Sequence, residues 1–394
     1  MTTPDFAHGL MIGKFYPPHP GHVHVISTAA AACSAVTVLV MGSTMESIDH
    51  AERADWLAEM VDHLGNVEVL SILDDAPMDY SSDSAWIAHI GLMAAAVRRG
   101  RYPAAVDAVF SSESYGAEMA ARFGATAVAV DPDRVRYPYS SSMFRADVVG
   151  RWTELPPPVR RGLAVRVVVL GSESTGSTTL ARDLAAHYRR RGGVWERTGC
   201  VDEYGREYTE LKFAALQLRS PGAPLTDLTW DSADFATVAA EQTRQEDAAA
   251  AAGSPVLICD TDAFATAVWE RRYVGEHSHA SAPWATDLLP RRDIYLLTDC
   301  AGVDFEQDGW RDGEHLREGM QEWFADALTE AGHSWFLVSG SPQERLELAV
   351  AVTDELLGHR LSFRSPSWTI ASGVAFGSGA GPAAGAPEPG RAAG

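Results

Sequence analysis

The sequence predicts an α/β protein of two domains, each built on a parallel sheet. Three observations carry this. Short apolar runs alternate with helix-length segments along most of the chain. A proline run, Pro156-Pro157-Pro158, interrupts the alternation. On each side of it, a glycine-containing loop follows an apolar strand and opens a helix. Strand–helix alternation argues for parallel strands covered by helices on both faces. A length of 394 residues also suits two domains better than one.

In the first half, the run Leu10-Met11-Ile12 and residues 36–41, 67–73, 106–110 and 125–130 read as strands. Residues 23–32, 51–64 and 83–98 read as helices between them. The segment 152–162, with its three prolines and Arg160-Arg161, reads as a semi-rigid linker. Strands resume at 165–170, 256–259, 293–297 and 334–338, and a last helix is expected over 353–359. The domains are therefore set at 1–151 and 163–360. The tail 361–394 becomes glycine, alanine and proline with almost no large apolar side chain, and from about residue 373 it cannot bury a core and is expected to be disordered.

A hydrophobic fraction of 46% supports real cores, and a net charge of -21 argues against a nucleic-acid footprint, which needs clustered Lys and Arg. The four cysteines are far apart without a CxxC pair, so reduced core thiols are expected rather than disulfides or structural zinc. The start of the chain lacks a basic, apolar leader pattern. The longest apolar stretch, 29–41, is interrupted by Ser and Thr and is shorter than the roughly 20 residues a membrane span needs. A cytoplasmic enzyme without membrane insertion is the expectation, and a homo-oligomer is compatible with it.

The stretch Gly13-Lys14-Phe15-Tyr16-Pro17-Pro18-His19-Pro20-Gly21-His22 organises the first domain. A strand, a glycine loop and a helix start bring free backbone N–H groups to where a phosphate binds well. Lys14 and the pair His19 and His22 add side chains that suit a triphosphate. Lys14 and Lys212 are the only lysines of the chain, so a lysine in this loop is a hint that its type matters. Capping of the helix by His19 and His22 is the plainer alternative.

His19-Pro20-Gly21-His22 resembles the HxGH signature of the nucleotidylyltransferase superfamily, and Gly13-Lys14-Phe15-Tyr16-Pro17 is similar to the NadR family in particular. Ser140-Ser141-Ser142-Met143-Phe144-Arg145 resembles the second element of that superfamily, Ser-x-(Ser/Thr)-x-x-Arg at a helix start. The resemblance implies a Rossmann-like nucleotidylyltransferase domain that transfers the adenylyl group of ATP to a phosphate acceptor. That acceptor phosphate is already ionised, so catalysis rests on positioning and charge neutralisation rather than a general base. His19 and His22 would donate to phosphate oxygens, Lys14 and Arg145 would meet the β- and γ-phosphates, and Mg2+ would bridge them. Gly13, Phe15, Gly21, Ser140 and Ser142 would shape the ATP site. Ser112, Glu113 and Tyr115, within Ser111-Ser112-Glu113-Ser114-Tyr115-Gly116, resemble the family's nicotinamide-nucleotide pocket. Trp86 is suited to stack on a pyridine ring, with an ordinary core tryptophan as the other reading. Arg53 and Trp56 also resemble the family, with a solvated helix position the alternative for Arg53.

In the second domain, Gly171-Ser172-Glu173-Ser174-Thr175-Gly176-Ser177-Thr178-Thr179 lies between a strand and a helix, the context a P-loop demands. The glycine spacing is right and Thr178 holds the Mg2+-ligand position, but Ser177 stands in the lysine slot. A lost phosphate-facing cation costs on the order of 100-fold in rate unless something replaces it. Strand 256–259 ends in Asp260 and Asp262, either of which is placed to hold Mg2+ through water. Glu203, in Asp202-Glu203-Tyr204-Gly205-Arg206-Glu207, resembles the family's substrate-side carboxylate and candidate base. Asp308, Arg311 and Arg317 resemble an arginine-bearing lid. The resemblance, over about residues 8–360, thus adds a C-terminal P-loop kinase-like domain. The implied reactions are adenylylation of nicotinamide mononucleotide to NAD and phosphorylation of ribosylnicotinamide. No helix-turn-helix precedes the first sheet, so a repressor role is not expected. Pantetheine phosphate or flavin mononucleotide as acceptor, or a second domain that only senses nucleotide, are the alternatives.

Overall fold

Apolar β-branched runs become buried strands. The structure, a computed structural model, describes residues 4–77, 79, 82–102, 105–275, 277–306 and 314–364. Asp308, Arg311 and the tail beyond Arg364 lie outside the described residues. Among those residues the four cysteines are unpaired, and burial pushes the Cys33 and Cys200 thiols up to about 11.

Along the first half run β1 (Phe6–Gly13), α1 (Pro20–Ala32), β2 (Cys33–Gly42), α2 (His50–Val61), β3 (Val67–Leu73), α3 (Asp83–Arg99), β4 (Ala108–Ser111), α4 (Gly116–Phe123), β5 (Thr126–Ala129) and α5 (Ser141–Ala146). The five strands pair only in parallel, in the order β3-β2-β1-β4-β5. Gly9 sits opposite Val36 on one side and Ala108 on the other. A Cβ there would stand 2.7 Å from Cys33 Sγ and 3.1 Å from Phe110, so glycine is what this strand needs. After β3 the chain returns to the far side of β1 to form β4, and the crevice at such a reversal, beyond the carboxyl ends of the strands, is the ligand site of open α/β sheets. The loop after β1 falls there.

Farther along come α6 (Pro157–Leu163), β6 (Val165–Leu170), α7 (Ser177–Arg189), β7 (Gly199–Val201), α8 (Tyr204–Arg219), α9 (Ser232–Ala252), β8 (Val256–Asp260), α10 (Ala263–Tyr273), α11 (Ala282–Ala285), β9 (Ile294–Thr298), α12 (Arg317–Glu330), β10 (Trp335–Val338) and α13 (Pro342–Arg360). The sheet order is β10-β9-β6-β8-β7, again all parallel. Every residue of the central strand β6 is buried. Its core joins Val165, Val167 and Val169 to Leu180, Leu184, Ile258 and Leu296.

Two departures from the sequence expectation have simple causes. The segment 152–162 is not a spacer: Trp152 is fully buried with Nε1 donating to Gly253 O at 2.9 Å, and Val159 and Leu163 are buried on α6. Proline fits the first turn of a helix, where no N–H is needed, so Pro157 and Pro158 start one rather than break one. The last helix begins at Pro342, eleven residues earlier than expected, because Ser341 and Glu344 form a capping box ahead of it. By contacts the chain divides into two units. One comprises the residues up to Ala54, Leu64–Ala146 and Arg364. The other comprises Asp55–His63 and Asp147–Phe363.

Candidate active sites

In the first unit, the loop after β1 and the start of α5 meet although about 120 residues separate them. Ser141 Oγ donates to Pro17 O at 3.0 Å, and Arg145 Nη1 donates to Tyr16 O at 2.7 Å. Arg145 Nη2 also reaches Ser142 Oγ at 3.0 Å. Gly13, Lys14, Phe15, His19, Gly21, His22, Ser140, Ser142 and Arg145 consequently line one pocket. Trp86, Ser112, Glu113 and Tyr115 form another part of its wall.

The two imidazoles are packed face to face, with ring centroids 3.6 Å apart. The His19 backbone N–H donates to His22 Nδ1 at 3.2 Å, which places the ring proton of His22 on Nε2. Burial lowers the pKa of His19 to about 3, helped by the charge of Arg134, and drives His22 well below its ordinary value with His19 and Arg134 adding to it. Both rings are therefore neutral near pH 7 and act as hydrogen-bonding groups rather than cations. His19 Nδ1 is buried without a partner among the described residues, which a bound polar ligand would supply. Phe15 takes a left-handed backbone (φ 46°), rare outside glycine, and its ring stands edge-on against His22 at 4.7 Å.

Positive charge comes from elsewhere. Lys14 Nζ donates to Glu46 Oε1 at 2.8 Å, while Arg53 Nη2 donates to Glu46 Oε2 at 2.7 Å and Arg53 Nη1 to Lys14 O at 2.7 Å. Arg53 is fully buried, so it is no solvated helix residue but the brace of the lysine loop. Arg134 pairs with Glu113 at 2.5 Å on the pocket wall.

Several pocket residues escaped the sequence reading. Asp74, His89, Asp131, Arg134, Tyr137 and Tyr139 all line the pocket. Asp131 gathers the backbone N–H groups of Val135, Arg136 and Tyr137. These residues form no compact motif; the aspartate–arginine spacing at 131 and 134 was the only local signal.

In the second unit, the loop between β6 and α7 turns through two left-handed residues, Ser174 (φ 58°) and Gly176 (φ 85°). A Cβ on Gly171 would lie 2.2 Å from Thr298 Oγ1, so the tight exit from β6 requires glycine. Thr175 Oγ1 donates to Ser172 O at 2.8 Å and meets Thr298 Oγ1 at 2.6 Å, fixing the loop from behind. Ser177 opens α7 half-buried, Thr178 follows it, and Thr179 is exposed. The Thr178 hydroxyl hydrogen-bonds the Asp260 carboxyl, which burial raises to about 6 against that bond's opposing pull. A hydroxyl beside a desolvated carboxyl is a fitting pair for a hard divalent cation.

Among the described residues, Arg345, Arg317 and Arg272 reach the loop. Arg345 donates to Thr175 O at 2.7 Å, Arg317 to Ser174 O at 3.0 Å, and Arg272 pairs with Glu173 at 3.1 Å. Lys212 does not: its ammonium is held by Asp234 at 2.5 Å and Thr229 O at 2.7 Å. Glu203 is exposed just before α8.

Asp262 corrects the expectation of a catalytic or metal-binding acid. It is fully buried, caps α10 through Ala265 N at 3.0 Å, and is held by Arg292 and Tyr295, each at 2.9 Å. Between Asp260 and Asp262, Thr261 adopts a left-handed backbone (φ 69°). An extended chain would point both acids the same way; this turn sends the second into the core.

The family model described as an AAA domain matches residues 166–345. The Trifunctional NAD biosynthesis/regulator protein NadR of Salmonella typhimurium is 24% identical over 343 residues, covering 83% of this chain and 72% of that protein. The protein of the same name from Escherichia coli is 25% identical over 345 residues, with the same coverage. A crystal structure of NadR in complex with NR superposes with a TM-score of 0.57 at 22% identity, covering 90% of this chain and 97% of that one. A second, of NadR in complex with NAD and AMP-PNP, gives 0.55 at 21% identity, covering 90% and 98%.

Proposed function

Because the chain is a NadR-type protein, we propose that it makes NAD in two steps, with adenylyl transfer from ATP to nicotinamide mononucleotide in the first domain and phosphorylation of ribosylnicotinamide in the second. The observation that carries the first reaction is the meeting of Lys14, His19, His22 and Arg145 in one pocket. In that reaction the phosphate oxygen of the mononucleotide attacks the α-phosphorus of ATP, the bond to the β-phosphate oxygen breaks, and pyrophosphate leaves. His22 Nε2–H is suited to donate to the phosphate carrying the developing charge, and Lys14 and Arg145 to neutralise the departing pyrophosphate. Neutral histidines fit this role, since the reaction asks them for hydrogen bonds and no proton has to move. Trp86, Tyr115, Ser112 and Glu113 are assigned to the nicotinamide side. Purified protein given ATP and each of nicotinamide mononucleotide, pantetheine phosphate and flavin mononucleotide should release pyrophosphate fastest with the first. Faster release with either of the others would overturn the assignment.

For the second domain, the loop 171–176 would cradle phosphates through its backbone N–H groups, with Gly171, Ser174, Thr175, Gly176, Ser177, Thr178 and Thr179 forming the site. Thr178 and Asp260 would hold Mg2+, which supplies charge neutralisation on the transferred phosphate. Glu203 is the candidate base for the ribosyl hydroxyl, and Arg317, bonded to Ser174 O, is a candidate cation where lysine is missing. ATP-dependent conversion of ribosylnicotinamide to its monophosphate tests this domain; a nucleotide sensor would bind ATP and convert nothing. Among the described residues no helix is long and apolar enough to cross a membrane.

A further inference from the structure

The second unit buries a polar chain that the phosphoryl-transfer chemistry described above does not use. Its links are Gln242 and Glu246 on α9, Arg292 ahead of β9, and Asp262 at the start of α10. Gln242 Oε1 accepts from Tyr204 N at 2.9 Å, and Gln242 Nε2 donates to Glu246 Oε1 at 3.3 Å. Arg292 Nη2 donates to the other oxygen of Glu246, and Arg292 Nε donates to Asp262 Oδ2 at 2.9 Å. The Tyr295 hydroxyl donates to that same Asp262 oxygen at 2.9 Å, and Ala265 N donates to the remaining one at 3.0 Å. Gln242, Glu246 and Asp262 are at most 1% exposed, and so is the Arg292 side chain.

Stability is a weak reason for such a chain, because desolvation of buried charges takes back most of their attraction. What a fully bonded polar network does fix is a single geometry. Its two ends show which geometry. At one end, the first N–H of α8 has no acceptor within its own helix, and Glu203 at the cap position does not cap it with its side chain. Gln242 supplies the acceptor from α9, which sets the backbone one residue from Glu203. At the other end, Asp262 is anchored two residues beyond Asp260, across the left-handed turn at Thr261. That anchor aims Asp260 at the Thr178 hydroxyl. The β7–β8 ladder ends at the pair Val201 and Cys259, short of both Glu203 and Asp260, so the sheet alone does not fix them.

We propose that Gln242 and Arg292 are positioning residues which, through Glu246 and Asp262, hold the Glu203 and Asp260 carboxylates at the separation that phosphoryl transfer needs. In that step the acceptor hydroxyl oxygen bonds to the γ-phosphorus of ATP. The bond from that phosphorus to the β–γ bridging oxygen breaks, ADP leaves, and the hydroxyl proton passes to Glu203. Misplacing a reacting group by about 1 Å costs on the order of 100-fold in such a step. The assignment rests on the kinase reading of the second domain given above.

The test is the single-turnover rate constant for ribosylnicotinamide phosphorylation by the full chain, with enzyme in excess and ATP saturating. An unfolded fraction of the sample does not lower that constant. Gln242→Met keeps the bulk of the side chain and removes both of its hydrogen bonds. It should lower the rate constant by about 10-fold or more, while the ATP concentration for half-maximal rate stays within about twofold, because the phosphate loop is not part of the chain. Arg292→Lys should lower it by about 10-fold as well, since an ammonium cannot span both carboxylates. It should also raise the Mg2+ concentration needed for half-maximal rate, since its Asp262 end serves Asp260. An unchanged rate constant in Gln242→Met overturns the proposal, even where the melting temperature falls as it would for a merely structural cluster. A wild type that phosphorylates no ribosylnicotinamide removes the kinase reading itself, and this assignment with it. Should Gln242→Met fail to fold, Tyr295→Phe, which takes one hydroxyl from Asp262, decides: a fall of about threefold supports the proposal and a wild-type rate constant refutes it.

Discussion

His22 keeps its Nδ1 occupied by the backbone of His19, so only Nε2–H is left to act. His22→Ala should slow adenylyl transfer by about 100-fold, as loss of one well-placed donor does. His22→Gln, whose amide nitrogen falls near Nε2, should recover part of that loss in single-turnover rates. The lowered pKa values of both rings also set a stability trend. Between pH 6.5 and about 3 the unfolded chain binds protons that folded His19 does not, so stability falls as pH falls through that window. The slope is at most about 1.4 kcal/mol per pH unit for each imidazole. Melting temperatures taken from pH 7 to pH 4 should drop less in His19→Asn than in the wild type. At this scale the sequence spoke clearly where chemistry sits in a contiguous motif. Lys14, His19 and His22 stood together in one glycine loop, and Arg145 was picked out by the resemblance of residues 140–145 to the superfamily's second element. Asp262 was misread because the left-handed Thr261 is a backbone event that composition does not announce. Asp74 and His89 were missed because only folding brings them together across 15 residues.

At the scale of elements, α2 and α5 each send an arginine to the loop after β1 while their apolar residues join the core. Arg53 on α2 holds Glu46 and the carbonyl of Lys14, and its own guanidinium is fully buried. Arg53→Ala takes the guanidinium from a buried carboxylate, leaving it Lys14 and the Ser43 N–H, and should cost about 3–5 kcal/mol in urea unfolding. Arg53→Lys should rescue little, because an ammonium cannot span both acceptors as the planar fork does. The loop before α7 presents the opposite case, a site lacking a group. Ser177→Lys should raise kcat/KM for ribosylnicotinamide phosphorylation by about 10-fold or more, by returning a cation to the phosphates. An unchanged rate would mean that an arginine at the loop, such as Arg317 on Ser174 O, performs that task. Strand positions were legible because buried parallel strands read as continuous apolar runs. The linker was not, since prolines at a helix start and prolines in a spacer look the same until packing distinguishes them.

At the scale of the whole molecule, the two sheets repeat one architectural idea with different chemistry at the end of the first strand. A histidine-bearing loop follows β1 and a glycine loop follows β6, and among the described residues those named for each site belong to a single unit. Substitutions should therefore act separately. His22→Ala should abolish most adenylyl transfer while leaving ribosylnicotinamide phosphorylation within about twofold, and Thr178→Ala the reverse, when both reactions are assayed on the same preparations. Linked losses would mean that the two activities share more than a chain. The two-sheet plan was the most legible feature of all, because it is written in the repeated alternation of strand and helix rather than in any single residue.

Glu46 gives that plan a last consequence. With one oxygen on Lys14 and the other on Arg53, it is a buried anion behind the pocket that Lys14 lines. On the proposed function, entry of a triphosphate at Lys14 would be an exchange, in which the guest competes with a tethered carboxylate for the same ammonium. A lone orthophosphate, with few other contacts to offer, gains little from that trade, whereas a nucleotide gripped along its length can outbid the incumbent. On the proposed function, that contact favours the larger guest over the smaller one.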